Sequence, residues 1–159
     1  MKPEEILKEK FNLELPAPSE PDGFYTRVVQ TGNLLYVSGH TPKLEGKYVF
    51  LGKLGEDFTL EQGQEAARIA MTNCMSALKE FLGDLQRIKQ FVQVIGYVRS
   101  TDSFTQQPLV MNGASGLLID CLEKEESIPE WPLGPTNFPV AQQLRLCASL
   151  RSDDQVTFF

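Results

Sequence analysis

The amino-acid sequence predicts an α+β layer sandwich, in which two helices cover one face of a mixed β-sheet. Three observations lead to this prediction: an early hairpin pattern, a long amphipathic helix, and a strand that is apolar on both faces and precedes a second helix. The order strand, strand, helix, strand, helix is typical of such layered domains. A chain of 159 residues has the size of one domain with a substantial core.

The hairpin is predicted within residues 24–37. Residues 24–30 are rich in aromatic and β-branched side chains, and residues 34–37 form a short apolar run. Thr31-Gly32-Asn33 between them supplies the positive φ angles that a tight turn needs. We expect the second strand to end at Ser38-Gly39-His40, where glycine allows close approach of a ligand and the following Pro42 stops the ladder. This strand end is the predicted binding surface.

The longest helix pattern covers residues 59–82. Thr59 and Gln62 have the spacing of a capping box, and Gly83 stands where a C-cap glycine belongs. Small and apolar residues recur at steps of three and four, so they share one face of the helix. We expect this face to lie closely on the sheet. Its members are Ala66, Ala70, Cys74, Ala77, Leu78 and Phe81.

A second helix is predicted at residues 108–122, with Pro108 tolerated in its first turn. The run Gly113-Ala114-Ser115-Gly116 falls inside this helix and lacks the G-x-S-x-G spacing of a nucleophile elbow, so it is interpreted as helix interior. The predicted inner face consists of Leu109, Leu117, Leu118 and Cys121.

Residues 88–98 form the predicted central strand. Simple alternation places Val92, Val94 and Val98 on one face and Phe91, Ile95 and Tyr97 on the other. Both faces are therefore largely apolar, which favours burial by a helix on one side and by a neighbouring subunit on the other.

Shorter elements complete the chain. A helix is expected at residues 3–11, an extended proline-bearing linker at 13–23, a short strand at 48–51 and a closing strand at 140–150. Trp131, next to prolines, is predicted to lie in a surface loop. The run Gly52-Lys53-Leu54-Gly55 lacks the spacing of a phosphate-binding loop and is interpreted as an ordinary loop. We expect three regions: an N-terminal helix and linker (1–22), the main domain (23–150, atypical from about 123) and a tail (151–159).

Composition narrows the possible functions. A net charge of −6 argues against a nucleic-acid surface, which needs clustered Lys and Arg. The charged start argues against a signal peptide, and the lack of a long apolar run argues against a membrane span. Cys74, Cys121 and Cys147 have no CxxC pairing, which indicates reduced thiols and a cytoplasmic location. His40 is the only histidine, so no metal site is expected.

The pattern of residues 23–26 and 31–39 resembles the Rid family, also called the YjgF/YER057c/UK114 or "endoribonuclease L-PSP" family, and its RidA-like subgroup in particular. The similarity continues through the Gly52–Gly55 run and Met111-Asn112-Gly113-Ala114-Ser115, and covers roughly residues 16–121. It implies a chorismate-mutase-like fold and a homotrimer with ligand clefts between subunits.

The resemblance also implies a reaction. Its best-described members hydrolyse reactive enamines and imines, such as 2-aminoacrylate, to 2-oxo acids and ammonia without a cofactor. Carried over by position, Tyr25 would be the catalytic tyrosine, and Ser38 and Gly39 would bind the substrate. His40 would also belong to the substrate-binding set. Its ordinary pKa suits a general base, but the family often has glutamine there, which favours a hydrogen-bonding or purely structural role. The alternatives are an edge tyrosine with its hydroxyl in solvent and ordinary strand termination at 38–39.

The C-terminal part departs from the family pattern. The family places an arginine before a Leu-Pro pair and a glutamate after it, and aligning Phe138-Pro139 with that pair puts Glu130 and Arg145 at these positions. Glu130 would repel an anionic substrate. Either Arg27 or Arg99 could supply a cation instead. A change of reading frame across residues 128–146 would restore both family residues, which sequencing of the coding DNA would test.

Three functions therefore stay open from the sequence. The first is hydrolysis of an imine or enamine. The second is a non-catalytic member that binds a small metabolite, in which case a neutral ligand should bind better than a carboxylate. The third and weakest is ribonuclease activity, which the acidic charge disfavours.

Overall fold

The computed structural model describes residues 1–17, 23–122, 130–133 and 142–150, and for the last two segments it describes the backbone. Within these ranges there are three α-helices: α1 (Pro3–Phe11), α2 (Leu60–Leu82) and α3 (Gln107–Leu122). The strands are β1 (Val28–Thr31), β2 (Leu34–His40), β3 (Lys43–Leu44), β4 (Lys47–Tyr48), β5 (Ile88–Val98), β6 (Glu130–Leu133) and β7 (Gln142–Leu150).

The main sheet contains five strands in the order β1-β2-β7-β5-β6. Neighbours are antiparallel except β5 and β6, which are parallel, so the sheet is mixed. Helix α2 packs on β2 and β7, and α3 packs on α2, β5 and β6. Strands β3 and β4 form a separate small hairpin. The predicted α+β architecture is confirmed.

The hairpin at the start of the sheet forms around Gly32, whose φ of +57° is the left-handed conformation expected of this turn. Its register pairs Val28 with Val37 and Thr31 with Leu34. Strand β1 begins at Val28 rather than at residue 24. Strand β2 continues through Ser38 and Gly39 and ends at His40, as predicted from the sequence.

The extension of β2 contains a β-bulge. Val37 pairs with Leu146 and His40 pairs with Leu144, so β2 has one residue more than β7 over this interval. A bulge adds a residue to one strand and changes the direction of the following side chains. The bulge therefore determines where His40 lies.

The predicted caps of α2 are present. The Thr59 hydroxyl accepts a hydrogen bond from the Gln62 amide and the Gln62 side chain accepts one from the Thr59 amide. Gly83 has a φ of +78° at the C-terminal end. The predicted inner face is buried except for Phe81, which is 47% exposed.

Two further face assignments are wrong. Phe91 is buried in the core with Val94, because the register of β5 shifts between Phe91 and Gln93 and simple alternation fails there. Leu109 is 43% exposed at the start of α3. The inner face of α3 instead consists of Val110, Met111, Ala114, Leu117, Leu118 and Cys121.

The ends of the chain agree in part with the sequence-based predictions. Helix α1 has the expected bounds, and its Ile6 and Leu7 belong to the main hydrophobic cluster. Of the expected linker, residues 13–17 have no regular secondary structure and 18–22 lie outside the described residues. Trp131 lies in β6, paired with Ile95, so its prediction as a loop is wrong. Strand β7 matches the predicted closing strand over its described residues.

Candidate functional site

A cavity of about 430 Å³ lies where the bulged end of β2, the β3–β4 hairpin, the middle of α2 and the segment after α1 meet. Its walls combine cationic, anionic, neutral polar and small apolar residues. The lining residues are Pro16, Ala17, Arg27, His40, Lys43, Glu45, Gly46, Asn73, Ser76 and Ala77. These four parts of the chain, together with Arg27 just before β1, thus contribute to one concave surface.

Arg27 is the best-fixed cation of the cavity. Its side chain is only 20% exposed, and its Nη2 lies 2.6 Å from the Glu80 carboxylate. Its main-chain carbonyl accepts hydrogen bonds from the Ser38 amide (2.8 Å) and the Ser38 hydroxyl (3.1 Å). Ser38 therefore holds the backbone of Arg27 in place.

His40 follows the bulge and is half-buried. Its Nδ1 lies 2.9 Å from the Ser38 carbonyl oxygen, which can only accept, so Nδ1 carries a proton and Nε2 of the neutral ring has a free lone pair. Burial lowers the pKa of His40, the Ser38 carbonyl opposes this shift, and the charges of Arg27 and Lys43 add to it. The ring is thus neutral at neutral pH and able to accept a proton or hydrogen bond.

Asn73 connects α2 to the loop that carries Lys43. Its Nδ2 donates to the carbonyls of Thr41 (2.9 Å) and Lys43 (3.0 Å). Because these bonds use both amide hydrogens, Oδ1 is the atom of this side chain that can meet a ligand, as an acceptor. The Lys43 ammonium also lies 4.4 Å from the centre of the Tyr48 ring.

The remaining wall comes from the segment after α1. The Ser76 hydroxyl donates to the Pro16 carbonyl at 2.7 Å, and Ser76 is buried. This bond holds Pro16 and Ala17 at the edge of the cavity.

The residues predicted to form the site are only partly brought together. His40 lines the cavity. Ser38 does not line it but bonds to the Arg27 carbonyl, and the bulge at Ser38-Gly39 determines the position of His40. Tyr25 is 48% exposed before β1, donates its amide to the Gly23 carbonyl at 2.9 Å, and is not among the lining residues. Arg27, one of two cations considered from the sequence, lines the cavity and Arg99 does not.

Sequence reasoning missed Lys43, Asn73 and Ser76, because no local motif marks them and only the fold brings these polar residues together. Glu130 and Arg145 lie on strands that flank β5, where they pair with Val94 and Ile95. Across residues 1–17 and 23–122, no three His, Cys, Asp or Glu side chains are grouped as metal ligands.

The arrangement defines a class of ligand in chemical terms. Arg27 and Lys43 outweigh the Glu45 carboxylate in the lining, so the cavity suits an anionic group such as a carboxylate, whose geometry matches the planar guanidinium of Arg27. The His40 Nε2 and the Asn73 Oδ1 are acceptors, which suit an N–H or O–H group of the same ligand. A small acid that also carries a nitrogen or hydroxyl group satisfies both.

The molecule is thus an α+β domain with a polar cavity at a bulged strand end. The chain matches the family model described as "YjgF/chorismate_mutase-like, putative endoribonuclease" over residues 8–130, and it belongs to this family. The resemblance inferred from the sequence and the chorismate-mutase-like fold are confirmed. In the part of the chain that the structure describes, no helix is long and apolar enough to cross a membrane.

Individual relatives agree with this assignment. Protein TCP17 of Trypanosoma cruzi is 37% identical over 117 residues, which cover 74% of this chain and 73% of that protein. A protein of unknown function from Agrobacterium tumefaciens has a TM-score of 0.86 and 30% identity, covering 94% of this chain and 93% of that one. A "putative endoribonuclease" from Shewanella oneidensis has a TM-score of 0.85 and 33% identity, covering 94% and 100%.

Proposed function

We propose that this protein hydrolyses a small imino or enamino acid to the corresponding 2-oxo acid and ammonia, in the cavity beside β2. The observation that carries this proposal is that Arg27, Lys43 and a neutral His40 line the same cavity. The chain thereby offers a carboxylate anchor and a proton acceptor together. The imine is already electrophilic, so little more is required than orientation and activation of water.

Arg27 anchors the substrate carboxylate. Glu80 holds one Nη of the guanidinium at 2.6 Å. The Glu80 pair fixes the orientation of the guanidinium, whose planar fork matches the geometry of a carboxylate. Lys43 supplies a second positive charge, which compensates for the absence of arginine at position 130.

His40 activates the water. Its Nε2 takes a proton from the water as the oxygen adds to the imine carbon, and passes this proton to the imine nitrogen, which becomes an amine. The resulting carbinolamine then collapses: its hydroxyl proton is transferred through His40 Nε2 to the amine nitrogen, the C=O bond forms, and the C–N bond breaks to release ammonia. Asn73 Oδ1 accepts a hydrogen bond from the substrate N–H and orients the imine. No cofactor takes part.

We further propose that the protein is a homotrimer, as its family resemblance implies. Val29 and Tyr36 pair across β1 and β2 on the sheet face opposite the helices, and each is about half exposed. An uncovered apolar sheet face suits a neighbouring subunit. Tyr25 precedes β1, and its proposed catalytic role would require a cleft between subunits. Light scattering should give three times the chain mass.

The test is the rate of 2-oxo acid release from an imine that an amino-acid oxidase generates in situ. We expect the parent to accelerate release and Arg27→Ala to abolish most of the acceleration. The variant Glu130→Arg, which restores the family's arginine, serves as the comparison. An inactive parent with an active Glu130→Arg variant would place the carboxylate anchor at position 130 and contradict the role of Arg27.

A second candidate function is binding of a small metabolite without catalysis. It is favoured by Glu130 and Arg145, which stand where the family has arginine and glutamate. The same cavity would then hold the ligand. Binding of pyruvate without any acceleration of imine hydrolysis would support this candidate over the first.

A further inference from the structure

Helix α1 is attached to the helix layer by both apolar and charged contacts. Ile6 and Leu7 are 2% and 0% exposed within the main hydrophobic cluster. The Lys79 ammonium of α2 lies 2.7 Å from the Glu4 carboxylate. Burial of two large aliphatic side chains makes α1 part of the core rather than a loose extension.

The segment after α1 leads directly to the cavity. The Leu13 amide donates to the Leu7 carbonyl at 3.1 Å, which closes the end of the helix. Three residues further on, the Pro16 carbonyl accepts the hydrogen bond from Ser76, and Pro16 and Ala17 line the cavity. The position of this wall therefore depends on the docking of α1.

Helix α2 carries the attachment points for both α1 and the segment that follows it. Lys79 holds α1, Ser76 holds the segment, and Asn73 and Ala77 form the adjoining cavity wall. All four lie within two turns of one helix. Docking of the N-terminal segment and the shape of the cavity thus share one structural support.

We propose that residues 1–17 are a closing element of the cavity, which couples docking of α1 to ligand binding and limits ligand size. The inference rests on the proposed function, since it concerns the same site. A ligand that touches Pro16 and Ala17 makes those contacts only in the docked state, so binding must stabilise docking by the same factor by which docking strengthens binding. Ser76 is the positioning residue of this device.

The test compares Ser76→Ala with Ser115→Ala, in which a hydroxyl that donates within α3 to the Met111 carbonyl is removed. Hydrogen exchange of the Leu13 amide is measured with and without pyruvate, and the affinities for pyruvate and the bulkier phenylpyruvate are measured by calorimetry. The loss of one hydrogen bond should change an opening equilibrium by roughly three- to tenfold.

We expect Ser76→Ala to speed exchange at Leu13 by this factor, to weaken pyruvate binding, and to raise the affinity for phenylpyruvate relative to pyruvate. Pyruvate should slow the exchange in the parent. If the parent binds pyruvate but Ser76→Ala and Ser115→Ala show the same Leu13 exchange rate and the same ratio of phenylpyruvate to pyruvate affinity, this inference is overturned and the proposed function is not. A parent that binds neither acid would overturn the proposed function as well.

Discussion

The crossing of α2 and α3 allows a quantitative prediction for Gly113. A Cβ atom at this position would lie 2.8 Å from the Gln64 Cα and carbonyl carbon and closer still to the carbonyl oxygen, whereas real Cβ atoms essentially never come within 3.0 Å. These are backbone atoms of α2, so the obstacle cannot rotate away and the helices must separate. Overpacking of this kind costs about 1–3 kcal/mol, while alanine gains about 1 kcal/mol of helix propensity.

Because the overlap is with backbone atoms, we take the upper end of the overpacking range, and after the gain in propensity we expect Gly113→Ala to destabilise the protein by about 2 kcal/mol. This is equivalent to a fall in Tm of roughly 4–8 °C for a domain of this size. Gly116→Ala in the same helix is the control, because an added Cβ there meets nothing within 4 Å. The control should be neutral or stabilising by up to about 1 kcal/mol. Urea unfolding measures both. Equal effects of the two substitutions would refute the described helix contact.

The remaining predictions concern the cavity and the buried thiols. Arg27→Ala should weaken pyruvate binding by roughly ten- to a hundredfold, as expected for a lost charge-assisted hydrogen bond, whereas Arg99→Ala should have little effect in the same titration. Burial lowers the pKa of His40 below its ordinary 6.5, so the unfolded chain takes up this proton first and stability should fall as the pH drops through 6.5. His40→Gln should remove the contribution of His40 to the fall in unfolding free energy below pH 6.5, as measured by urea unfolding. An unchanged dependence of the unfolding free energy on pH would contradict this prediction. Burial raises the pKa of Cys74 and raises that of Cys121 to about 12, so both thiols stay protonated at pH 8. In a Cys147→Ser variant, iodoacetamide should therefore leave the native protein unmodified at pH 8 and alkylate it only after unfolding.

The elements with strong local signals could be predicted from the sequence. Helix α2 has its capping box, its C-terminal glycine and a repeat of small residues, all of which act within a few positions of the chain. Strand β5 was recognisable because a run of β-branched residues is favoured in strands whatever the partner is. The bounds of α1, which has a proline and two glutamates in its first turn, follow in the same way.

The errors arise where tertiary contacts decide. The bulges at Ser38-Gly39 and at Phe91–Gln93 are determined by pairing with β7, whose partner residues lie more than fifty positions further along the chain. Each bulge shifts the side-chain alternation by one residue. His40 and Phe91 therefore lie on the face opposite to the one that simple alternation predicts. Strand β6 contains a proline and is too short for a recognisable pattern.

The site was predictable only in part for a related reason. The Ser38-Gly39-His40 motif indicated the strand end that borders the candidate cavity, but Ser38 bonds to the Arg27 carbonyl and is not among the lining residues. Asn73 and Ser76 lie on α2 among small core residues. The partners of Asn73 are 30 and 32 residues away in the chain, and the partner of Ser76 is 60 residues away. Local sequence carries no information about such contacts.

The central claim is that Arg27 binds the carboxylate of a ligand beside His40 in one cavity. Because His40 is the only histidine, long-range ¹H–¹⁵N NMR of the imidazole gives one set of ring signals that reports on this site. We expect pyruvate to shift the Nε2 signal in the parent and not in Arg27→Ala, with the amide spectrum showing that the variant stays folded. An unmoved His40 signal in the parent at millimolar pyruvate, or an equal shift in Arg27→Ala, would contradict the account.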